Sequence, residues 1–210
     1  MPETSPQPQP KITLTYFDFS ASRGEECRLA LHLAGVPFTD ERLKGTEWLV
    51  RKDGTPFGAL PVLTVEGHPP IAQSNTILRF IGRGHGLLPS DLYEAARHES
   101  LMEAVEDLRN HMSPLAHLKD AAEKKRQREE ASRDYLPQWA AQVERQLGEG
   151  PFVGGAKIGV ADLKLFVTLT PFVNGKIDHV PATVFEGSPK LMRLFHAVAA
   201  HPSVVEWQRR

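Results

Sequence analysis

The chain is short of several things, and each shortage narrows the choices. Cys27 is the only cysteine in 210 residues, so an intramolecular disulfide and a thiolate-built zinc cluster are excluded. A reducing cytoplasm is the expected home. No apolar run approaches the roughly 20 residues that cross a bilayer, so no membrane span is expected. Charge of one sign is missing too. Lys and Arg number 25 against 26 Asp and Glu, and no polybasic face emerges, which argues against a nucleic-acid surface. The nine histidines are scattered; His196 and His201, five apart across an expected helix end, make a poor pair, and no metal is expected. The N-terminal MPETSPQPQP lacks the basic and apolar regions of a signal peptide. Rich in proline and glutamine, it reads as a disordered tail of residues 1–10.

Two kinds of periodicity follow. KITLTYF, residues 11–17, reads as a strand. In 24–34 Cys27, Ala30, Leu31 and Ala34 share one helical face, and Gly35 and Pro37 end that helix. A short strand is expected over 38–43, then a loop over 45–58, where little periodicity is visible. LPVLTV and PPIA read as two strands around a turn at Gly67, followed by the helix NTILRFIGRG. This order, β-α-β, loop, β-β-α, predicts an α/β domain of residues 11–88. Past residue 90 the pattern is helical throughout. Leu101, Val105, Leu108, Met112 and Leu115 mark one amphipathic helix; Tyr135, Trp139, Val143 and Leu147 mark another. Residues 123–130, EKKRQREE, read as a solvated helix face. VADLKLFVTL is apolar nearly all round and predicts a buried helix. Ser188 and Pro189 predict an N-cap and first helical residue. An all-helical domain of residues 96–210 is expected.

Two local features call for a reason. Pro61 stands just inside an expected strand, where a residue without an N–H does not belong unless the strand starts there at an edge. Gln73-Ser74 stands at the mouth of a helix, where free N–H groups and the helix dipole favour a carboxylate; Ser74 can also serve there as a plain N-cap.

The motifs YF, LPVL, QSNTIL, VEDLR, VADLKLF and HPSVVEW, in this order over the chain beyond residue 10, resemble the cytosolic glutathione S-transferase family. The Tyr-Phe pair resembles its tyrosine-type classes, nearest the pi and sigma classes. The resemblance implies an α/β plus all-α fold, with a thioredoxin-like N-terminal domain and an all-helical C-terminal domain. It implies glutathione as co-substrate, a small, electrophilic, hydrophobic acceptor, a role in detoxification, and a homodimer. It also implies a cis peptide before Pro61, turning the Leu60 backbone to pair with the cysteinyl part of glutathione like a neighbouring strand.

Glutathione chemistry needs a thiolate, and a free thiol with a pKa of roughly 8.5 supplies only a few per cent of it at neutral pH. By the resemblance, the Tyr16 hydroxyl is the donor that stabilises the sulfur. The loop after it, DFSASRGEE, is one residue longer than the family's usual turn, and Ser20 or Ser22 competes for the same role. Cys27 is a weaker competitor on an apolar face. Arg23 corresponds to a family arginine near the tyrosine, or is a solvated helix-start residue. Trp48 and Lys52 correspond to positions holding the glycyl carboxylate; Gln73 and Ser74 hold the γ-glutamyl end. Ala59 stands where many relatives have a glutamine. Glu103 corresponds to an aspartate that reaches the γ-glutamyl amine across the dimer interface, or is an exposed helix residue. Helices near Ser113 are expected to line the acceptor pocket. Asp162 belongs to a helix-start motif whose hydroxyl residue is replaced by Gly159, and reads as a folding determinant. A glutathione-dependent isomerase or peroxidase, and a non-catalytic binding protein of the same fold, are the rival readings.

Overall fold

The structure is a computed structural model and describes residues 10–210. The tail expected over 1–10 falls outside the described residues, except for exposed Pro10.

Strand β1 (Ile12–Phe17) buries Leu14, Thr15 and Tyr16 and forms the middle of the sheet. It is followed by α1 (Ser22–Leu33), β2 (Thr39–Leu43), α2 (Gly45–Arg51), β3 (Val62–Val65), β4 (Ile71–Ala72) and α3 (Ser74–Gly84). The strand order is β2-β1-β3-β4. β1 and β2 run parallel, Thr13 opposite Thr39, because α1 supplies the crossover that parallel strands require. β3 lies antiparallel to β1, Val62 opposite Thr15, and pairs with β4 through a turn at Gly67, whose φ of 81° suits glycine.

The loop expected over 45–58 is a correction: it holds α2 and a 3₁₀ turn, Lys52–Gly54. The periodicity was silent because α2 buries no residue; Leu49 and Val50 stand exposed. Its start is held by Glu47, which accepts the Lys44 N–H at 2.6 Å.

The helical half comprises α4 (Leu92–Ala116), α5 (Ala121–Glu130), α6 (Leu136–Glu144), α7 (Val160–Val173), α8 (Pro189–Ala199) and α9 (Pro202–Gln208). A π turn, Ala131–Tyr135, joins α5 to α6. None of these helices is long and apolar enough to cross a membrane. α7 is buried at every position from Val160 to Leu169 and packs against α1, α4 and α8, so one hydrophobic core runs through both halves. The start of α8 differs from expectation. Ser188 occupies the N-cap but makes no capping bond. Glu144 of α6 takes the N–H groups of Lys190 and Leu191 instead, at 2.9 and 2.8 Å.

Gly159 explains its own departure from the helix-start motif. Asp162 accepts the Gly159 N–H at 2.8 Å and the Val153 N–H at 2.7 Å. A Cβ at Gly159 would lie 2.6 Å from the Leu87 carbonyl oxygen, which accepts the Val160 N–H at 3.0 Å. The hydroxyl half of the capping box is missing because the chain after α3 fills its place. Gly159→Ser, which restores the motif, should therefore destabilise the protein by about 2 kcal/mol. A thermal melt that stays level or rises would refute this.

Candidate functional site

The cis Leu60-Pro61 peptide precedes β3. Leu60 lies outside the strand, and among the described residues its backbone N–H and C=O make no backbone hydrogen bond. Opposite stands the start of α3. Its N-cap is Gln73, at φ 70° and ψ 116°, with no side-chain capping bond. Ser74 is the first helical residue, not the cap, so the capping half of the Ser74 expectation is corrected. The first turn of α3 holds no acidic side chain, and its N–H groups point outward without a competitor.

These segments enclose a cleft of about 420 Å³. Of the residues expected at the site, Arg23, Leu60, Pro61, Gln73 and Ser74 line it together, with Ala59 beside them. Glu106 and Asn110 of α4 complete the wall. Neither was expected from the sequence.

Four expected residues lie outside the lining. Lys52 is exposed at the rim; a Cβ added at Gly58 would meet its Cε at 3.5 Å. Trp48 is half-buried, its ring edge-on to Phe17 with centroids 5.8 Å apart. Its indole N–H has no partner among the described residues, whereas Trp139 donates to the Ala104 carbonyl and Trp207 to Glu25. Glu103 stands outside the cleft of its own chain and pairs with Arg79 of α3. Tyr16 is 5% exposed at the end of β1. Phe17 and Phe19 pack edge-on against its ring at 5.4 and 5.5 Å, and the Arg28 guanidinium lies 5.7 Å from its centroid. Its remaining face meets Gly24 of α1, where a Cβ would fall 2.0 Å from Cδ1. Phe17, Phe19, Arg28 and Gly24 thus hold the ring in place.

The competing nucleophile activators sit differently. Ser20 is exposed in the β1–α1 loop. Ser22 opens α1 at φ 61°, a conformation that costs a serine roughly 1 kcal/mol or more. Cys27 is fully buried, and burial pushes its thiol up, with the Glu26 carboxylate adding to the effect. It is a packing residue in its surroundings.

A second, larger cavity of about 670 Å³ opens beside the β1–α1 loop. Ser20 and Ala21, Phe166, Val167 and Pro171 of α7, and Trp207 of α9 line it. Ser113, exposed on α4, lines neither concavity.

Arg23 is not solvated freely. Its Nε and Nη2 both donate to Glu106 Oε2, at 3.0 and 2.6 Å. The other oxygen, Glu106 Oε1, accepts from Lys164 Nζ at 2.5 Å and from Arg109 at 2.9 Å. Burial alone would raise the Glu106 carboxyl, but Lys164, then Arg109 and Arg23, hold it at about 2. A depressed folded-state value means stability that is present above the ordinary value of 4.5 and lost as pH falls toward 2. Wild type should lose up to about 3 kcal/mol over this window through Glu106, and Glu106→Gln should abolish that component. Urea melts at several acidic pH values check it; parallel pH profiles would count against it. The sequence carried two faint signals for this cluster. One was the i, i+3 spacing of Glu106 and Arg109 in VEDLR; the other was a lysine in an otherwise apolar helix.

Family models match both halves of the chain. The model of the glutathione S-transferase N-terminal domain matches residues 12–83, and that of the C-terminal domain matches residues 106–210. The chain belongs to the glutathione S-transferase family. Hematopoietic prostaglandin D synthase of Gallus gallus is 30% identical over 94% of this chain and 95% of its own. Glutathione S-transferase 1 of Ascaris suum is 42% identical over a stretch covering 50% of each chain. The structure of prostaglandin synthase D of Nilaparvata lugens covers 96% of this chain and 98% of its own, at TM-score 0.84 and 26% identity. The glutathione S-transferase of Ascaris lumbricoides superposes at TM-score 0.82 and 28% identity, covering 95% and 97%. The fold is accordingly the thioredoxin-like and all-helical arrangement of this family, and the chain is an enzyme of it.

Proposed function

We propose that the protein is a tyrosine-type, pi- or sigma-like glutathione transferase that conjugates glutathione to small electrophiles with an apolar body. The observation that carries this is the cleft itself. The unpaired Leu60 backbone faces the uncapped start of α3, with Arg23 alongside. These are donors and acceptors for an extended peptide bearing a carboxylate. In this reading the cysteinyl backbone pairs with Leu60, beside Pro61. The γ-glutamyl carboxylate meets Gln73, Ser74 and the α3 N–H groups. The glycyl carboxylate meets the Trp48 indole and Lys52. The Tyr16 hydroxyl donates to the sulfur and favours the thiolate. The thiolate lone pair forms the new S–C bond, while the leaving group departs with the electron pair of the bond that breaks. The thiol proton goes to solvent. The larger cavity, apolar along α7 and close to the β1–α1 loop, suits the acceptor better than the surroundings of Ser113 do.

Residues 11–88 and 96–210 act as a glutathione-binding domain and an all-helical domain, in a cytoplasmic homodimer. Exposed Phe57, Phe80, Leu92 and Tyr93 support self-association, and Glu103 then serves a partner's cleft. Sedimentation at micromolar concentration should return a dimer; a monomer there would refute the assembly.

A second reading, glutathione-dependent isomerisation, is favoured by the similarity to the Gallus gallus synthase over nearly the whole chain. It uses the same thiolate. The test measures glutathione affinity, conjugation of a generic aryl halide, peroxide reduction and endoperoxide isomerisation on one preparation. Conjugation supports the first reading and isomerisation without conjugation the second. Binding with no turnover of any kind would mean a non-catalytic relative.

A further inference from the structure

Behind the cleft wall, five charged side chains from three helices form one connected cluster. Arg23 and Glu26 come from α1, Glu106 and Arg109 from α4, and Lys164 from α7. Lys164 and Glu26 are both fully buried, and they meet at 2.9 Å. Arg109 spans Glu26 at 2.7 Å and the Thr168 hydroxyl at 2.8 Å.

Lys164 helps stabilise the charged form of Glu106, but net stability is a weak reason to bury a lysine here. Apart from Asp162 and Thr168 the buried residues of α7 around it are apolar, and replacing a buried ion pair by apolar residues of similar volume is commonly neutral or favourable. The geometry offers another reason. The Glu106 carboxylate is divided, one oxygen taken by Lys164 and Arg109 in the interior, the other by Arg23 at the cleft. The interior contacts stop the carboxylate from turning, so they fix where Arg23 lies. The charges also fail to balance. Three cations, Arg23, Arg109 and Lys164, stand against two carboxylates, Glu26 and Glu106. Cys27 adds no charge, because burial keeps its thiol neutral. Of the five, Arg23 and Glu106 reach the cleft and cancel, so the unmatched positive charge lies behind the cleft wall, on Arg109 and Lys164 against Glu26.

We propose that Lys164 is a positioning and charge-setting residue for the glutathione thiolate: with Arg109 it holds Glu106, and through it Arg23, and it keeps one net positive charge in the cluster behind the cleft wall. The inference rests on the reading of the cleft as a glutathione site.

The test uses two substitutions of opposite sign. Lys164→Met takes the cluster to zero, and the pKa of enzyme-bound glutathione should rise by about one unit. This is the size expected for one charge roughly 10 Å away at an effective dielectric of about 20. Glu26→Gln takes the cluster to plus two, and the same pKa should fall by a similar amount. The double variant should return close to wild type. The readout is thiolate ultraviolet absorbance titrated with pH at saturating glutathione, with circular dichroism to confirm folding. A merely structural role would move both single variants the same way, with the double variant worse. That result, or no shift in either, overturns the proposal. If Lys164→Met does not fold, Glu26→Gln decides: a downward shift supports the proposal and its absence sinks it. A wild type that binds glutathione without forming any thiolate overturns both this inference and the transferase reading. A wild-type thiolate indifferent to both substitutions overturns this inference alone.

Discussion

Tyr16→Phe should keep glutathione affinity and lose about a hundredfold in kcat/KM toward an aryl halide, the usual scale for removing one donor from a developing or stabilised anion. The phenyl ring retains the contacts to Phe17, Phe19 and Gly24, so the fold around it is undisturbed. What goes is the hydroxyl. The pKa of bound glutathione should accordingly rise by about one unit or more, each unit being about 1.4 kcal/mol of lost preference for the thiolate. Turnover and thiol ionisation measured against pH, with glutathione saturating, give both numbers. If neither changes, the donor is elsewhere, and Ser20 and Ser22 in the enlarged loop become the residues to replace.

Gly24→Ala should damage the same site by another route. The added Cβ would lie 2.0 Å from Tyr16 Cδ1 and 2.2 Å from Cγ. Cγ hangs from the strand backbone through a single carbon, so the ring can escape only by leaving its rotamer; otherwise β1 and α1 must part. Overpacking of this kind destabilises by about 1–3 kcal/mol. The displaced hydroxyl should lower turnover by at least about tenfold. Gly45→Ala is the control, because nothing lies near its added methyl and its backbone is an ordinary helical one. It should leave both stability and turnover within error or slightly improve stability. Equal behaviour of the two alanine variants would show that the contact between Gly24 and Tyr16 has no functional weight.

Each departure from expectation has its own physical reason. α2 was missed because it buries nothing, so no apolar period marks it. Ser188 looked like a cap and is not one, because a carboxylate 44 residues earlier, Glu144, occupies the N–H groups of α8. Ser74 looked like a cap, yet the chain enters α3 through Gln73 at positive φ, which shifts the helix start by one residue. A solvent-facing position decides the first, a distant contact the second, and the backbone of the preceding residue the third.

The sequence by itself determined the strands, most of the helices, the order of the two halves and the family motifs. It also named Arg23, Leu60, Pro61, Gln73 and Ser74, which the structure places along one cleft. Those features depend on side-chain period and on turn chemistry between neighbours a few positions apart. Only the tertiary structure decided that Tyr16 is gripped by Gly24, that Gly159 yields to the Leu87 carbonyl, and that Arg23 answers to a lysine on α7. Arg23 and Glu106 are 83 positions apart, and Glu26 and Lys164 are 138 apart. Such pairs have no local signature, because their partners are chosen by how α1, α4 and α7 pack and by the need to match charges once water is gone.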